Sequence, residues 1–123
     1  MKPIINRKIR IAIVGCGRIS KNHFESLKKH QDNIELISIC DTQQTILSVH
    51  EKKYNVKGYL DLDDMLKKED LDLTVICTPS GVHADQTELC ARHGVNVMTE
   101  KPMATRWNDG VSMVKVCDKA GVR

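Results

Sequence analysis

The chain has 123 residues, enough for one core of ordinary size, and its 41% hydrophobic and 28% charged composition excludes a disordered or fibrous chain. The net charge is only +3 and its basic residues come as short pairs such as Lys28-Lys29, Lys52-Lys53 and Lys67-Lys68, while Phe24, Tyr54, Tyr59 and Trp107 form no stacking platform, so nucleic acid is excluded as a partner. No stretch approaches the ~18 apolar residues that span a bilayer, residues 1–8 lack the apolar run of a signal peptide, and the cysteines form no CxxC pair, so the chain reads as cytoplasmic, with no disulfide framework and no metal site.

In chain order, a nearly continuous apolar run over residues 9–14, interrupted by Arg10, predicts a buried strand. Helical spacing over 18–30 follows, with Ile19, His23 and Leu27 on one face. A second strand is predicted over 34–40, a helix over 45–53 and a short edge strand over 57–60. Asp61 stands as an N-cap before a short helix carrying Leu62, Met65 and Leu66. Residues 73–77 form the next strand, 82–93 a helix stopped by Gly94, and 96–99 a further strand. The last helix runs from after Thr105 to Ala120, with Trp107, Val111, Val114 and Cys117 in register and Gly121 as its stop. Strands alternating with crossover helices, each strand apolar on both sides, predict an α/β fold with a doubly wound parallel sheet in three layers, αβα. The chain ends where another strand would begin, so the sheet is expected to be truncated before its last strand, and no second domain that could hold a substrate is visible.

The segment Gly15-Cys16-Gly17-Arg18-Ile19-Ser20 follows the first strand and opens the first helix, the setting in which GxGxxG has physical meaning. Gly15 makes the tight turn, and Gly17 lets backbone N–H groups and the helix N-terminus approach a pyrophosphate. Ser20 is small enough for close packing of helix on strand. Asp41 ends the second strand about 20 residues on, where a carboxylate accepts hydrogen bonds from the adenosine ribose; helix capping is its other reading. A carboxylate here repels a 2′-phosphate and Thr42 adds no positive charge, which favours NAD over NADP, although Arg18 leaves NADP open. An S-adenosylmethionine site of the methyltransferase kind places an acid at the end of the first strand, and that position is Val14.

Cys77-Thr78-Pro79-Ser80-Gly81-Val82-His83 and Glu100-Lys101-Pro102-Met103-Ala104, taken with the glycine turn, closely resemble the Gfo/Idh/MocA oxidoreductase family. The resemblance runs from Ile9 to Arg123 and implies a Rossmann-like NAD(P)-binding domain, with a C-terminal α/β domain for substrate and oligomerisation lying outside this chain. It implies Lys101 as the catalytic residue, near the nicotinamide and the sugar carbon that exchanges hydride, where an ammonium can hydrogen-bond or exchange a proton with the reacting hydroxyl. It also implies that Thr78, Pro79 and Ser80 border the cofactor, that the Glu100 backbone faces the nicotinamide, and that His83 lies near the cofactor without taking part in catalysis. Pro102 is expected to fix the loop, with a cis Lys101–Pro102 bond as one means. His23, His30, His50 and His93 fall on predicted helices away from strand C-termini and read as surface or packing residues.

The stretch from Gly15 to Phe24, with the residues 100–104, is similar to the branch of this family that oxidises UDP-N-acetylglucosamine, or its uronate, at C3 in surface polysaccharide synthesis. That likeness implies a nucleotide sugar as substrate and a homo-oligomeric full-length protein. An inositol or glucose dehydrogenase of the same family, or a non-catalytic NAD-binding regulator, are the alternatives. The segment alone is expected to bind NAD weakly or not at all and to lack dehydrogenase activity.

Overall fold

A computed structural model describes residues 3–123; the readings that included residues 1 and 2 lie outside the described residues. Five strands, β1 (Ile9–Val14), β2 (Ile34–Cys40), β3 (Lys57–Tyr59), β4 (Leu73–Ile76) and β5 (Asn96–Thr99), form one parallel sheet in the order β3-β2-β1-β4-β5. Helices α1 (Ser20–Lys29) and α2 (Gln44–Tyr54) connect β1 to β2 and β2 to β3. Helix α3 (Leu62–Lys68) leads from the β3 edge back to β4, a 3-10 turn (Ser80–Val82) and α4 (His83–Arg92) join β4 to β5, and α5 (Trp107–Ala120) follows β5. The expected α/β class, strand set and crossover order are all present. The chain direction across the sheet reverses between β1 and β4, which is where open α/β sheets form a ligand crevice at the strand C-termini.

The strands are apolar on both faces because the sheet is covered on both. Ile11, Ile13, Ile39, Val75 and Cys77 pack with Phe24 and Leu47 of α1 and α2. Ala12, Val14, Cys40 and Ile76 pack on the opposite side with Leu62, Met65, Leu66 and Cys90 of α3 and α4. Alternate residues of a strand point to opposite faces, so one continuous apolar run supplies two cores. Phe24 stacks on Tyr54 at 4.0 Å between ring centroids and 7° between planes, joining α1 to α2. Such a pair adds about 1 kcal/mol beyond its buried area.

Local signals set several element ends. The Asp61 carboxylate accepts the Asp64 N–H at 2.8 Å and caps α3, as its position predicted. Gly94 and Gly121 adopt φ of +73° and +71°, the left-handed region that closes a helix.

Two helix faces differ from the periodicity. Helix α1 starts at Ser20, because residues 17–19 form a turn, and its buried face carries Ser20 and Phe24 with Leu27 partly buried. Ile19, grouped by the pattern with His23 and Leu27 on one face, precedes the helix and is 41% exposed. Helix α5 packs chiefly on α4, next to β5 at the edge of the sheet, so its apolar stripe has little sheet beneath it. Met113 is its buried residue, whereas Trp107 is 84% and Val114 53% exposed. After α5 the chain returns beside β5: the Val97 N–H donates to the Arg123 carbonyl at 2.7 Å and the Arg123 N–H to Asn96 Oδ1 at 2.9 Å. No helix of the described residues is long and apolar enough to cross a membrane.

Candidate functional site

Because every strand is parallel, the loops after β1, β2, β4 and β5 gather at one end of the sheet, and the predicted site residues are on these loops or at the start of the helix that follows. Gly15 has φ +89°, and its N–H donates to the Cys40 carbonyl at 2.7 Å. A Cβ there would lie 2.9 Å from the Cys77 carbonyl carbon and 2.9 Å from the Thr78 nitrogen, so glycine is required by the backbone that leaves β4. At Gly17 a Cβ would meet nothing within 4 Å and would project into open space over the turn. These two glycines therefore have different reasons: one serves packing, the other keeps a cradle clear. Among the described residues, the N–H groups of Gly17, Arg18 and Ile19 form no hydrogen bond within the chain, and Ser20 bonds back to the Gly17 carbonyl through both its N–H (3.2 Å) and its hydroxyl (2.6 Å). Ser20 is fully buried, so it does more than fit: its hydroxyl closes the turn. Free N–H groups at a helix N-terminus, beside a glycine with no side chain, suit a bound pyrophosphate.

Asp41 reaches the same turn. Its Oδ2 accepts the Cys16 N–H at 2.9 Å and its Oδ1 the Gln43 N–H at 2.8 Å. It sits two residues ahead of the α2 N-cap position, Gln43, and so does not cap that helix directly. Each oxygen holds one backbone N–H and keeps a lone pair for a further donor such as a ribose hydroxyl. Arg18, Lys21, His50 and Lys53 line a groove between α1 and α2 next to Cys16 and Gly17.

Beneath the turns lie three buried thiols. Burial, and for Cys16 the neighbouring Asp41 charge, pushes Cys16 up to about 12, and burial does the same for Cys40 and Cys77. They are neutral at physiological pH and form an apolar floor under the site.

On the far side of the crevice, His83 is 1% exposed and both its ring nitrogens meet backbone carbonyls. Nε2 lies 2.8 Å from the Thr78 oxygen, and Nδ1 lies 3.1 Å and 3.3 Å from the Pro102 and Met103 oxygens. His83 thus ties the Thr78-Pro79-Ser80 loop to the loop carrying Lys101. Pro79 is exposed, and its carbonyl accepts the Val82 N–H at 3.1 Å to start the 3-10 turn. The Lys101–Pro102 bond is cis, and Lys101 is exposed on the loop after β5. The Glu100 N–H donates to the Ile76 carbonyl at 2.9 Å, which places that peptide at the C-terminal end of β4.

One residue of this region was misread from sequence. His23, assigned to surface or packing, lies with Nε2 2.6 Å from Glu100 Oε1, both side chains 22% exposed. It comes three residues after Ser20, hence on nearly the same side of α1 as the glycine turn, and that i to i+3 spacing was the available signal. The hydrogen bond from His23 is the main reason the Glu100 carboxyl lies below the ordinary glutamate range; partial burial opposes it and the Lys101 N–H assists it. Of the other three histidines, His93 bonds Asp63, His30 is exposed, and His50 bonds the Ile46 carbonyl while lining the groove beside Cys16 and Gly17.

Comparison with known proteins bears on this geometry. The WlbA dehydrogenase of Chromobacterium violaceum, solved with NADH and UDP-GlcNAcA, superposes with a TM-score of 0.97 at 49% identity, covering 99% of this chain and 35% of that one. The WlbA dehydrogenase of Bordetella pertussis, also solved with NADH and UDP-GlcNAcA, superposes with a TM-score of 0.96 at 50% identity, covering 98% of this chain and 36% of that one. Among curated proteins, 4-carboxy-2-hydroxymuconate-6-semialdehyde dehydrogenase of Sphingobium sp. is 31% identical over 93% of this chain and 36% of its own length. The chain therefore spans about a third of the relatives it matches. Residues 9–123 match the oxidoreductase family GFO_IDH_MocA, described by its NAD-binding Rossmann fold, and the chain belongs to that family as its NAD-binding domain.

Proposed function

We propose that the protein containing this chain is an NAD-dependent sugar dehydrogenase whose substrate is a nucleotide-activated sugar, UDP-N-acetylglucosamine or its uronate, oxidised at C3 in surface polysaccharide synthesis. The observation that carries the reading is the 49–50% identity to two dehydrogenases solved with NADH and UDP-GlcNAcA, across almost the whole of this chain. The substrate domain and the subunit contacts of the whole protein lie, in this reading, outside these residues.

The residues present fit NAD. The open space over Gly17 and the free N–H groups of residues 17–19 seat the pyrophosphate, with Arg18 and Ile19 bordering it and Ser20 holding the turn. Asp41 accepts from the adenosine ribose while its bonds to Cys16 and Gln43 keep it oriented, and its charge disfavours a 2′-phosphate. Thr78, Pro79 and Ser80 flank the cofactor at the end of β4, with His83 clamping their loop, and the Glu100 backbone faces the nicotinamide side. When bound, NAD supplies the acceptor for the hydride leaving the carbinol carbon. In its neutral amine form Lys101 would hydrogen-bond the hydroxyl of that carbon and take its proton, becoming an ammonium, while the carbon's hydride passes to the bound NAD.

The test is NAD reduction by the full-length protein with a panel of UDP-sugars, inositols and free hexoses. UDP-N-acetylglucosamine or its uronate is expected to be oxidised with the highest kcat/KM. Reduction supported only by inositol or free glucose would refute the nucleotide-sugar assignment, and absence of turnover with every alcohol, despite NAD binding, would leave a non-catalytic regulator.

A further inference from the structure

The pair His23–Glu100 joins two parts of the site that the sequence keeps 77 residues apart. His23 is on α1, one turn beyond the residue that closes the glycine turn. Glu100 immediately precedes Lys101. The Glu100 carboxylate is bound at both oxygens: Oε1 is 2.6 Å from His23 Nε2, and Oε2 accepts the Lys101 N–H at 3.3 Å. With the Glu100 N–H held by the Ile76 carbonyl, the 100–101 peptide is fixed from β4 on one side and from α1 on the other. A lysine on an exposed loop carries four rotatable side-chain bonds, so the placement of its amine begins with the placement of its backbone.

We propose that His23 is a positioning residue: through the Glu100 carboxylate it holds the Lys101 peptide in register with the helix that opens on the pyrophosphate seat. This rests on the reading of Lys101 as the group that meets the reacting hydroxyl. The cofactor seat and the lysine are then set by one rigid element, α1, so the distance between them does not depend on the loop alone. The groups facing Glu100 are His23 from α1, Lys101 from its own loop and the buried thiol of Cys77 at the end of β4. Cys77 is neutral, so His23 and Lys101 are the partners that stabilise the carboxylate. Loss of His23 removes the stronger of them, and Glu100 then takes up its proton at a higher pH.

The experiment compares wild-type, His23→Ala and His23→Gln forms of the full-length protein. In His23→Ala, kcat falls about tenfold to a hundredfold, as expected for a misplaced catalytic group, while the Kd for NAD and the KM for the sugar change little. His23→Gln, whose amide can donate to the same carboxylate, recovers most of the rate. The acid limb of the kcat profile moves to higher pH in His23→Ala, and so does the Glu100 titration followed by carboxyl carbon NMR. An unmoved Glu100 titration overturns the proposal, as does a loss of NAD affinity in proportion to kcat. Failure of the wild type to pass hydride to NAD would sink the dehydrogenase reading instead, and the Glu100 titration would still decide whether His23 holds that carboxylate.

Discussion

Replacing Gly15 and Gly17 by alanine, one at a time, separates two reasons for glycine that look alike in the motif. At Gly15 the new methyl group meets backbone, not a side chain that could swing away: 2.9 Å to the Cys77 carbonyl carbon and 2.9 Å to the Thr78 nitrogen. The residue must also hold φ +89°, where an L side chain is strained. Left-handed strain costs on the order of 1–3 kcal/mol and overpacking of a close-packed site about the same, so Gly15→Ala should destabilise by about 2–6 kcal/mol. That is a large fraction of the roughly 5–15 kcal/mol by which domains are stable. Gly17→Ala adds its methyl to open space at a backbone angle that alanine tolerates, so stability should stay within about 0.5 kcal/mol of wild type. Its methyl instead occupies the approach to the free N–H groups, and NAD affinity should fall by at least about tenfold, or 1.4 kcal/mol. Equilibrium urea denaturation and a fluorescence titration with NADH read the two quantities on each variant. A Gly15→Ala protein as stable as wild type would refute the packing argument, and unchanged NADH affinity in Gly17→Ala would refute the pyrophosphate seat.

Lys101→Ala in the full-length protein should lower kcat by orders of magnitude with the Kd for NAD nearly unchanged; steady-state kinetics with cofactor titration check it, and retained turnover removes Lys101 from the mechanism. The Arg7 guanidinium, with help from the Arg10 N–H, holds the Asp72 carboxyl down at about 2 against its ordinary 3.8. A depressed carboxyl stabilises the fold above its unfolded pKa and loses that contribution as pH falls from about 4 toward about 2. Asp72→Asn should therefore cost on the order of 1–2 kcal/mol at pH 7, with the gap closing by about pH 2, and a gap independent of pH would refute the assignment. At pH 8 a thiol reagent should modify half-buried Cys117 first, since burial holds Cys16, Cys40 and Cys77 near 12 and Cys90 near 11; rapid reaction of two or more thiols in the folded protein would contradict the buried floor.

The layered fold was legible in the sequence because parallel strands covered on both faces are largely apolar, and residues 9–14 and 34–40 carry that mark, with Arg10, Glu35 and Ser38 as the exceptions, without help from distant residues. The Asp61 cap and the Gly94 and Gly121 stops were equally local, since each depends on one side chain or its absence within a turn of the helix it ends. The glycine motif and the 100–104 segment named the family for the same reason. Tertiary placement alone decided the rest. Helical periodicity marks a stripe but does not say what lies against it: Trp107 falls in register with Val111, Val114 and Cys117, yet α5 packs chiefly on α4 and leaves that ring in solvent. Likewise His23 carries no signal that a carboxylate 77 positions away ends beside it. That meeting arises because parallel topology brings every strand C-terminus to one end of the sheet, where the loop after β5 passes the first turns of α1. Long-range geometry also made Gly15 a packing residue against the Cys77–Thr78 backbone, while the Ser20 hydroxyl closes its own turn locally, roles that the motif by itself did not distinguish from those of a generic pyrophosphate seat.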